Sequence, residues 1–211
     1  TAGRYIAMAR YYDLRGPWGA VMMRNTASLQ LNLDLGPEGV WQQRWLLGNL
    51  LSPLMIATFA ASPAEGSASL RARAWQELDP SRTGFPPAIL RGDAADPAAA
   101  YAEAALAADV MLVRSTDGSY HVGRPGWTFG DWVRDGHPDH GRPTADDLDY
   151  HLTTLFFEVR PRGFLELRAG EALPQPWRPA LVALVTALLY DDRAREAALA
   201  DLDGWPSRLD D

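Results

Sequence analysis

Leucines alternate with polar residues in two short segments of the chain, residues 28–34 and 163–168. Side chains along a β-strand point alternately to its two faces, with a rise of about 3.3 Å per residue. Each segment is therefore predicted to be a strand whose leucines are buried. The polar residues then share the opposite face, because a shift of one residue would expose every leucine.

The opposite face of these strands carries side chains that can bind ligands. Gln30, Asn32 and Asp34 belong to the first strand, and Glu166 and Arg168 to the second. Asn and Asp are poor strand residues, so their placement favours a need for oxygen and amide ligands of a metal or phosphate. Two other interpretations stay open here. They are a solvated outer sheet face for the first strand and a structural cross-strand salt bridge for Glu166 and Arg168.

Apolar spacing and capping residues predict the other elements. Helices are expected over residues 2–13, 37–60 with a break at Pro53, 69–78, 93–108, 129–134, 144–155, 177–190 and the alanine-rich end. Strands are expected at 22–35, 110–113, 119–122 and around the Glu-Leu-Arg segment, with an ordered loop at 79–87. This mixture indicates an α+β fold whose antiparallel sheet has one packed and one open face. The length favours a single domain, residues 1–211.

Charge and hydropathy narrow the classes of function. A net charge of −7 disfavours a nucleic-acid surface, which needs clustered basic residues to neutralise phosphates. No apolar run reaches the roughly 20 residues of a membrane span, and no signal-peptide pattern opens the chain. We therefore expect a soluble, cytoplasmic protein with small-molecule partners, no nucleic acid and no membrane.

Lysine is absent, so all 20 basic residues are arginines. This excludes a P-loop lysine and Schiff-base chemistry, and the absence of cysteine excludes disulfides and thiolate sites within this sequence. Any phosphate would be bound through the bidentate fork of arginine. Because Thr1 is not an initiator methionine, we expect an excerpt or a processed form.

Arginines form two clusters along the sequence, Arg160, Arg162 and Arg168, and Arg71, Arg73 and Arg82. So many guanidinium groups near few carboxylates favour an anionic ligand, although a solvated face also explains Arg73 and Arg162. Trp75 follows Arg71 by four residues, where it either stacks on that arginine or enters the core. Residues 79–84 are also typical of an Asx-type turn.

Histidines offer weaker chemistry. His137 and His140 lie among acidic residues, but a segment without a helix or strand to fix them disfavours a zinc site. His151 lies on a predicted helix and is expected to be a hydrogen-bonded packing residue.

Several blocks of the sequence resemble the glutamate-cysteine ligases of plants and actinobacteria in order and spacing. They are TASLQLNLD (26–34), DPSRTG (79–84), PT (143–144) with DYHLTTLF (149–156), EVR (158–160) and FLELR (164–168). The likeness covers nearly the whole chain, and the actinobacterial enzymes of ergothioneine synthesis are the most similar branch.

The resemblance implies a glutamine-synthetase-like fold with a curved antiparallel sheet and helices packed on one face. It also implies ATP-dependent formation of γ-glutamylcysteine from glutamate and cysteine through γ-glutamyl phosphate. ATP and Mg²⁺ are the implied cofactors, because the reaction needs a divalent metal and fixed cations to hold phosphate charge.

The resemblance also assigns roles to individual residues. Glu166 and Gln30 would be metal ligands, and Asn32 would contact metal or nucleotide. Arg168 would clamp phosphate, Arg82 would lie near the phosphates, and both count as catalytic and nucleotide-binding. Arg71, Trp75 and Thr26 would bind glutamate.

The chain departs from the family pattern at several positions. Phe157 stands where proline is usual, Arg24-Asn25 replaces smaller residues, and Ala169-Gly170-Glu171 stands where an aspartate follows the Glu-x-Arg strand. The family's upstream segment, which carries further metal-binding glutamates, is not in this sequence. We therefore expect the central and C-terminal part of a longer ligase catalytic domain, with Mg²⁺ underligated until an upstream segment or partner chain completes the site.

Two alternatives follow from these departures. One is a non-catalytic homologue or partner subunit that keeps the fold without a complete metal site. The other is a ligase of the same class with a different acceptor amine.

Overall fold

The computed structural model describes residues 2–64, 66–93 and 95–205. Its helices are α1 (Ala2–Asp13), α2 (Trp18–Asn25), α3 (Val40–Thr58), α4 (Leu70–Leu78), α5 (Pro80–Thr83), α6 (Pro87–Leu90), α7 (Pro97–Ala107), α8 (Phe129–Asp135), α9 (Ala145–Leu152), α10 (Trp177–Tyr190) and α11 (Asp192–Asp201). Its strands are β1 (Ser28–Leu33), β2 (Leu112–Arg114), β3 (Tyr120–Val122), β4 (Val159–Pro161) and β5 (Leu165–Glu171). The predicted α+β class is confirmed. None of the described helices is both long and apolar enough to cross a membrane.

The chain divides into two compact units that interleave along the sequence. Unit 1 comprises residues 1–25, 74–84 and 102–156, and unit 2 comprises residues 26–73, 85–101 and 157–211. The sequence predicted one domain from its length. Each unit has a hydrophobic core of its own, so the division follows packing and not chain order.

Unit 2 is built on a three-stranded antiparallel sheet with the order β1-β5-β4. The leucines of β1 and β5 pack into the unit's core with α3 and α10, as their alternation predicted. Helix α3 packs on β4 at Gly48, where an added Cβ would lie 3.4 Å from Val159 Cγ2, an ordinary contact distance. Trp45 and Leu47 of α3 are fully buried in the same core.

A β-bulge interrupts the pairing of β1 with β5. Leu29 pairs with Gly170 and Leu31 with Leu167, so two residues of β5 stand opposite Gln30 alone. Gly170 faces the core, since an added Cβ would lie 2.7 Å from Leu181 Cδ2 and 2.9 Å from the Leu29 carbonyl oxygen. Glycine is required there.

The extra residue shifts the alternation of β5 by one position. Ala169 and Gly170 both face the core, and Glu171 pairs directly with Ser28. Because directly paired residues share a face, Glu171 lies on the same face as Glu166 and Arg168.

Unit 1 contains the β2-β3 hairpin and a core to which α1 contributes Tyr11 and Tyr12. Two predicted capping boxes, at Thr128 before α8 and Thr144 before α9, are confirmed. In each, the threonine hydroxyl accepts from the backbone of an aspartate three residues on, whose carboxylate accepts in return.

Several boundaries differ from the sequence predictions, including a helix expected over 93–108 that spans Pro97–Ala107 and a strand expected at 110–113 that spans Leu112–Arg114. The first strand was expected from residue 22, but Met22 and Met23 lie in α2 and pack on the unit 1 core. Helix α3 continues through Pro53, where a break was expected, because burial on several sides outweighs one lost hydrogen bond. Residues 79–87, expected to be a loop, contain the short helix α5 and the start of α6.

His151 is a packing residue of unit 1, as predicted. Its Nε2 lies 2.9 Å from the Ala105 carbonyl oxygen, and its ring stacks on Phe129 with centroids 4.6 Å apart. Burial, helped by the positive charge of Arg82, lowers the pKa of His151 to about 3. The folded state therefore holds this imidazole neutral.

Acidification is expected to destabilise the fold through His151. Between the ordinary histidine pKa of about 6.5 and the folded value, the unfolded chain binds a proton that the folded chain does not. The free energy of unfolding therefore decreases by at most about 1.4 kcal/mol for each unit by which the pH is lowered. Urea unfolding at several pH values measures this slope. His151→Gln keeps a donor for Ala105 without titrating and should flatten the slope. An unchanged slope in His151→Gln would contradict the assignment.

Candidate active site

The face of the unit 2 sheet away from the core is defined here as the polar sheet face. Its members are Ser28, Gln30, Asn32, Glu158, Arg160, Glu166, Arg168 and Glu171, which alternation and cross-strand pairing place together. Glu166 lies at its centre, paired with Asn32 on β1 and Arg160 on β4. The two strands predicted from leucine alternation are therefore neighbours, and their polar residues share one face.

Arg160 and Glu166 form a buried ion pair across β4 and β5. Arg160 Nε donates to Glu166 Oε1 at 2.7 Å, and Arg160 Nη2 donates to the same oxygen. Their residues are 6% and 4% exposed. The cross-strand salt bridge of Glu166 is made by Arg160, and the ion pair of Glu166 with Arg168 that was considered from the sequence is also present, at a longer distance within β5.

Arg168 lies beside this pair on the bulge. Its Nη1 is 3.7 Å from Glu166 Oε1, the oxygen to which Arg160 donates, and its side chain is 15% exposed. Burial and the neighbouring charge of Arg160 lower the pKa of Arg168 to about 10. The guanidinium is charged at neutral pH, but its surroundings disfavour that charge, so an added anion would be favoured there.

Arg71 enters the same cluster from the first turn of α4. Its Nη2 donates to the Arg168 carbonyl oxygen at 2.7 Å and lies 3.6 Å from Glu158 Oε2. The backbone N–H of Arg168 in turn donates to the Glu158 carbonyl oxygen at 2.8 Å. Arg71 is 2% exposed, so its guanidinium is held from several sides.

Sequence reasoning missed two residues of this region. Glu171 is 3% exposed and reaches the polar sheet face only through the bulge, a feature that the glycine at position 170 could have signalled. Tyr101 lies near the charges of Arg160 and Glu166, and burial raises its pKa to about 12. Its place in an alanine-rich helix gave no signal.

The polar residues of β1 and its approach are more open than those of β5. Gln30 and Asn32 are exposed, and the Gln30 amide donates to Asn32 Oδ1 at 2.9 Å. Thr26 is half-buried just before β1. A solvated outer edge would show the same exposure, so contacts of these residues with metal, nucleotide or glutamate stay predictions.

Arg82 lies in unit 1 at the centre of a closed network. Its five N–H groups donate to Asp79 Oδ2, the Thr154 carbonyl and hydroxyl, the Tyr11 hydroxyl and the Asp109 carbonyl. Its exposure is 0%. With every donor engaged inside the protein, Arg82 has a structural role in this arrangement, and its expected contact with phosphate stays a prediction.

The segments around Arg82 are structural as well. Asp79 accepts from the backbone N–H of Ser81 at 3.2 Å, as an Asx-type turn requires. Trp75 is 7% exposed, and its Nε1 donates to the Phe156 carbonyl oxygen at 3.1 Å. The core interpretation of Trp75 is therefore confirmed, and its contact with glutamate stays a prediction.

The residues present do not complete a metal site. Across residues 2–64, 66–93 and 95–205, no group of three or more His, Cys, Asp or Glu could hold a metal ion. Glu166 already accepts twice from Arg160 on Oε1. Mg²⁺ requires near-octahedral oxygen coordination, and the described residues do not fit it.

The histidines of unit 1 do not change this result. The ring centroids of His121, His137 and His140 lie 4.8 to 5.2 Å apart, and the rings pack edge to face or tilted. His137 Nδ1 accepts from the Asp139 backbone N–H at 3.1 Å, which engages one of its ring nitrogens within the loop.

Comparison with known proteins gives the family. A family model described as glutamate-cysteine ligase family 2 matches residues 1–209. The chain belongs to this family. The resemblance seen in the separate blocks of sequence is thereby confirmed, and the Glu-x-Arg strand and the segment before β1 lie within the matched region.

Relatives in the same family are about twice as long. A glutamate-cysteine ligase EgtA from Mycolicibacterium smegmatis is 45% identical over 205 residues, which are 92% of this chain and 47% of that protein. The EgtA of Mycobacterium tuberculosis (strain H37Rv) is 40% identical over 206 residues, 93% of this chain and 47% of its own length. A chloroplastic glutamate-cysteine ligase of Arabidopsis thaliana is 32% identical over 212 residues, 96% and 40% respectively. The chain spans less than half the length of these ligases.

The two interpretations of Arg82 in this ligase-family chain differ in what its loss would do. Arg82→Gln should lower the free energy of unfolding by roughly 3 kcal/mol or more, because it strands a buried carboxylate and several buried acceptors. Urea unfolding measures the change. Arg134→Gln is the matched control, since Arg134 is 67% exposed and its ion pairs contribute little. A variant of Arg82 that folds as stably as the wild type and loses phosphate release would restore the phosphate role.

Proposed function

We propose that this chain is part of an ATP-dependent carboxylate-amine ligase that forms γ-glutamylcysteine from glutamate and cysteine. Family membership supports the reaction class, and the polar sheet face supplies a fitting surface. The observation that carries the proposal is Arg168, a mostly buried guanidinium whose pKa is lowered beside a second arginine. Such a group favours an anionic ligand, and both the substrate carboxylate and the phosphates of ATP are anionic.

The proposed chemistry has two steps. An oxygen of the glutamate γ-carboxylate attacks the γ-phosphorus of ATP, the bond to the β,γ-bridging oxygen breaks, and γ-glutamyl phosphate and ADP form. The cysteine amine then attacks the acyl carbon, phosphate leaves with the electrons of the C–O bond, and the amine loses a proton. Arg168 would hold the phosphoryl oxygens during both steps, because negative charge stays on them throughout.

Arg71 is the candidate contact for the glutamate substrate within unit 2. Its position is fixed by the Arg168 carbonyl and Glu158, so a substrate carboxylate would meet a preorganised cation. Thr26 stays a candidate for the same substrate. Glu166, Gln30 and Asn32 stay candidates for metal or nucleotide contacts at the centre and open edge of the polar sheet face.

Magnesium enters the proposal only with ligands from outside the described residues. The family resemblance implies Mg²⁺, and the described side chains do not form a complete site for it. We therefore infer that the remaining length of the longer ligases, or a partner chain, supplies further carboxylates. No step above is routed through the metal.

A second function, a non-catalytic homologue or partner subunit, is favoured by that same incomplete site. Titration calorimetry with Mg-ATP and glutamate separates the two. The sample is this chain fused to the part of the M. smegmatis relative that the match does not cover. The ligase proposal predicts nucleotide binding and formation of γ-glutamylcysteine, and absence of both would favour the non-catalytic function.

Other features belong to the proposal on the strength of the resemblance. They are a glutamine-synthetase-like fold, a role in ergothioneine synthesis, and a cytoplasmic location. The acceptor amine is the least constrained part. Phosphate release measured across the amino acids should be greatest with cysteine, and equal release with other amines would keep the ligase class and reject cysteine.

Loss of the Arg168 charge is expected to stop the reaction. In the same fusion, Arg168→Gln should lower kcat/KM for phosphate release at least about 100-fold, because it removes a cation from charge that the transition state must hold. Coupled phosphate detection measures the change, and circular dichroism checks the fold.

The matched control is Arg162→Gln, an exposed arginine two residues past Arg160 and just beyond the end of β4. It removes the same charge and should leave kcat/KM within about threefold, since solvent screens exposed charges. Near-normal turnover in Arg168→Gln would contradict the role of Arg168.

A further inference from the structure

Glu171 binds the segment that leads into α4. Its Oε1 accepts from the Ser69 hydroxyl, and its Oε2 accepts from the Ala61 backbone N–H at 3.0 Å. Glu171 and Ser69 are 3% and 6% exposed, so the bond between them is shielded from water, whereas the bond to the exposed Ala61 is partly buried. One carboxylate thus joins β5 to the segment on both sides of a loop.

Ser69 connects Glu171 to helix α4. It stands directly before Leu70, the first residue of α4, and its Oγ accepts from the Ala72 backbone N–H at 2.8 Å. This is the hydrogen bond of a helix N-cap. The serine hydroxyl donates to Glu171 while it caps the helix, so the carboxylate sets the direction of the cap. Its negative charge also lies near the positive end of α4.

Arg71 is the second residue of the same helical turn. The Ser62 hydroxyl accepts from the Arg71 backbone N–H at 3.3 Å, and the Ser62 carbonyl accepts from Leu70 at 2.7 Å. The Arg71 guanidinium reaches the Arg168 carbonyl from this fixed start. The direction of that long side chain therefore depends on where the first turn of α4 is held.

We propose that Glu171 is a positioning residue for Arg71. By holding Ser69 and Ala61 against β5, it fixes the N-terminus of α4 and with it the guanidinium at the polar sheet face. The consequence for substrate rests on the proposed function, in which Arg71 binds glutamate.

Both oxygens of Glu171 accept hydrogen bonds, and this requirement makes the role specific. A glutamine in its place has one acceptor oxygen, so one of the two donors, Ser69 or Ala61, loses its partner. An aspartate keeps both acceptors on a shorter stem and would need the segment to move towards β5. Glu171→Gln is therefore the sharpest test, because it preserves size and removes one acceptor and the charge.

The experiment has two readouts, one on the full chain and one on the fusion. Amide hydrogen exchange reports on the hydrogen bonds that Ser69 and Ala61 donate to Glu171, which are called the clamp below. Exchange at Ala61 and Ala72 should become at least about tenfold faster in Glu171→Gln than in the wild type. Steady-state kinetics on the fusion described above report the consequence. The KM for glutamate should rise about tenfold, while kcat and the KM for ATP change less than about threefold.

Two further variants separate positioning from general destabilisation. Ser69→Ala breaks the same connection from the other end, so the double variant should be no worse than the more affected single one. Glu196→Gln removes a charge from an exposed glutamate of α11 in the same unit and should change neither readout.

Each outcome bears on one claim. Unchanged exchange at Ala61 and Ala72 in Glu171→Gln overturns the clamp, whatever the activity. Faster exchange with an unchanged KM for glutamate, or with kcat/KM lowered equally for every substrate, overturns the positioning of Arg71. Either result leaves the ligase proposal standing. Faster exchange in Glu171→Gln, combined with a wild-type fusion that makes no γ-glutamylcysteine, supports the role of Glu171 at α4 and contradicts the proposed function.

Discussion

The buried ion pair of Arg160 and Glu166 is the interaction on which the polar sheet face depends. Removing two charges from water costs several kcal/mol each, and only good geometry with further hydrogen bonds recovers that cost. Here the two side chains stand directly opposite each other on adjacent strands, backed by a leucine core that fixes the strands. Arg168 lies beside the same Glu166 oxygen, and burial together with the charge of Arg160 lowers its pKa, so an added anion would be favoured there.

Arginine has two different uses in this lysine-free chain. In unit 1, Arg82 donates through all five N–H groups to internal acceptors and has no exposed surface. In unit 2, the arginines of the polar sheet face surround carboxylates, and Arg168 keeps part of its surface. A guanidinium placed like Arg82 stabilises the fold, whereas one placed like Arg168 is a candidate to bind an anionic ligand. Sequence alone does not separate them, because both follow from the same residue type.

Alternation of leucines was sufficient to predict β1, β5 and the face that their polar residues share, because period-two burial allows one register only. Capping boxes at Thr128 and Thr144 were also readable, since their bonds are local. The place of Glu171 was not, because a bulge depends on packing between Gly170 and Leu181, which lie apart in sequence. The internal hydrogen-bond network of Arg82 was not predicted for a similar reason, since its acceptors Tyr11, Asp109 and Thr154 come from distant segments.

A double-mutant cycle on Arg160 and Glu166 tests the account most directly. Free energies of unfolding in urea are measured for the wild type, Arg160→Met, Glu166→Gln and the double variant. The account predicts a coupling energy of at least about 1.5 kcal/mol, because either single change leaves a buried partner uncompensated. Effects that add to within about 0.5 kcal/mol would show that the two side chains do not interact on this face, and would contradict the arrangement from which the proposed site is built.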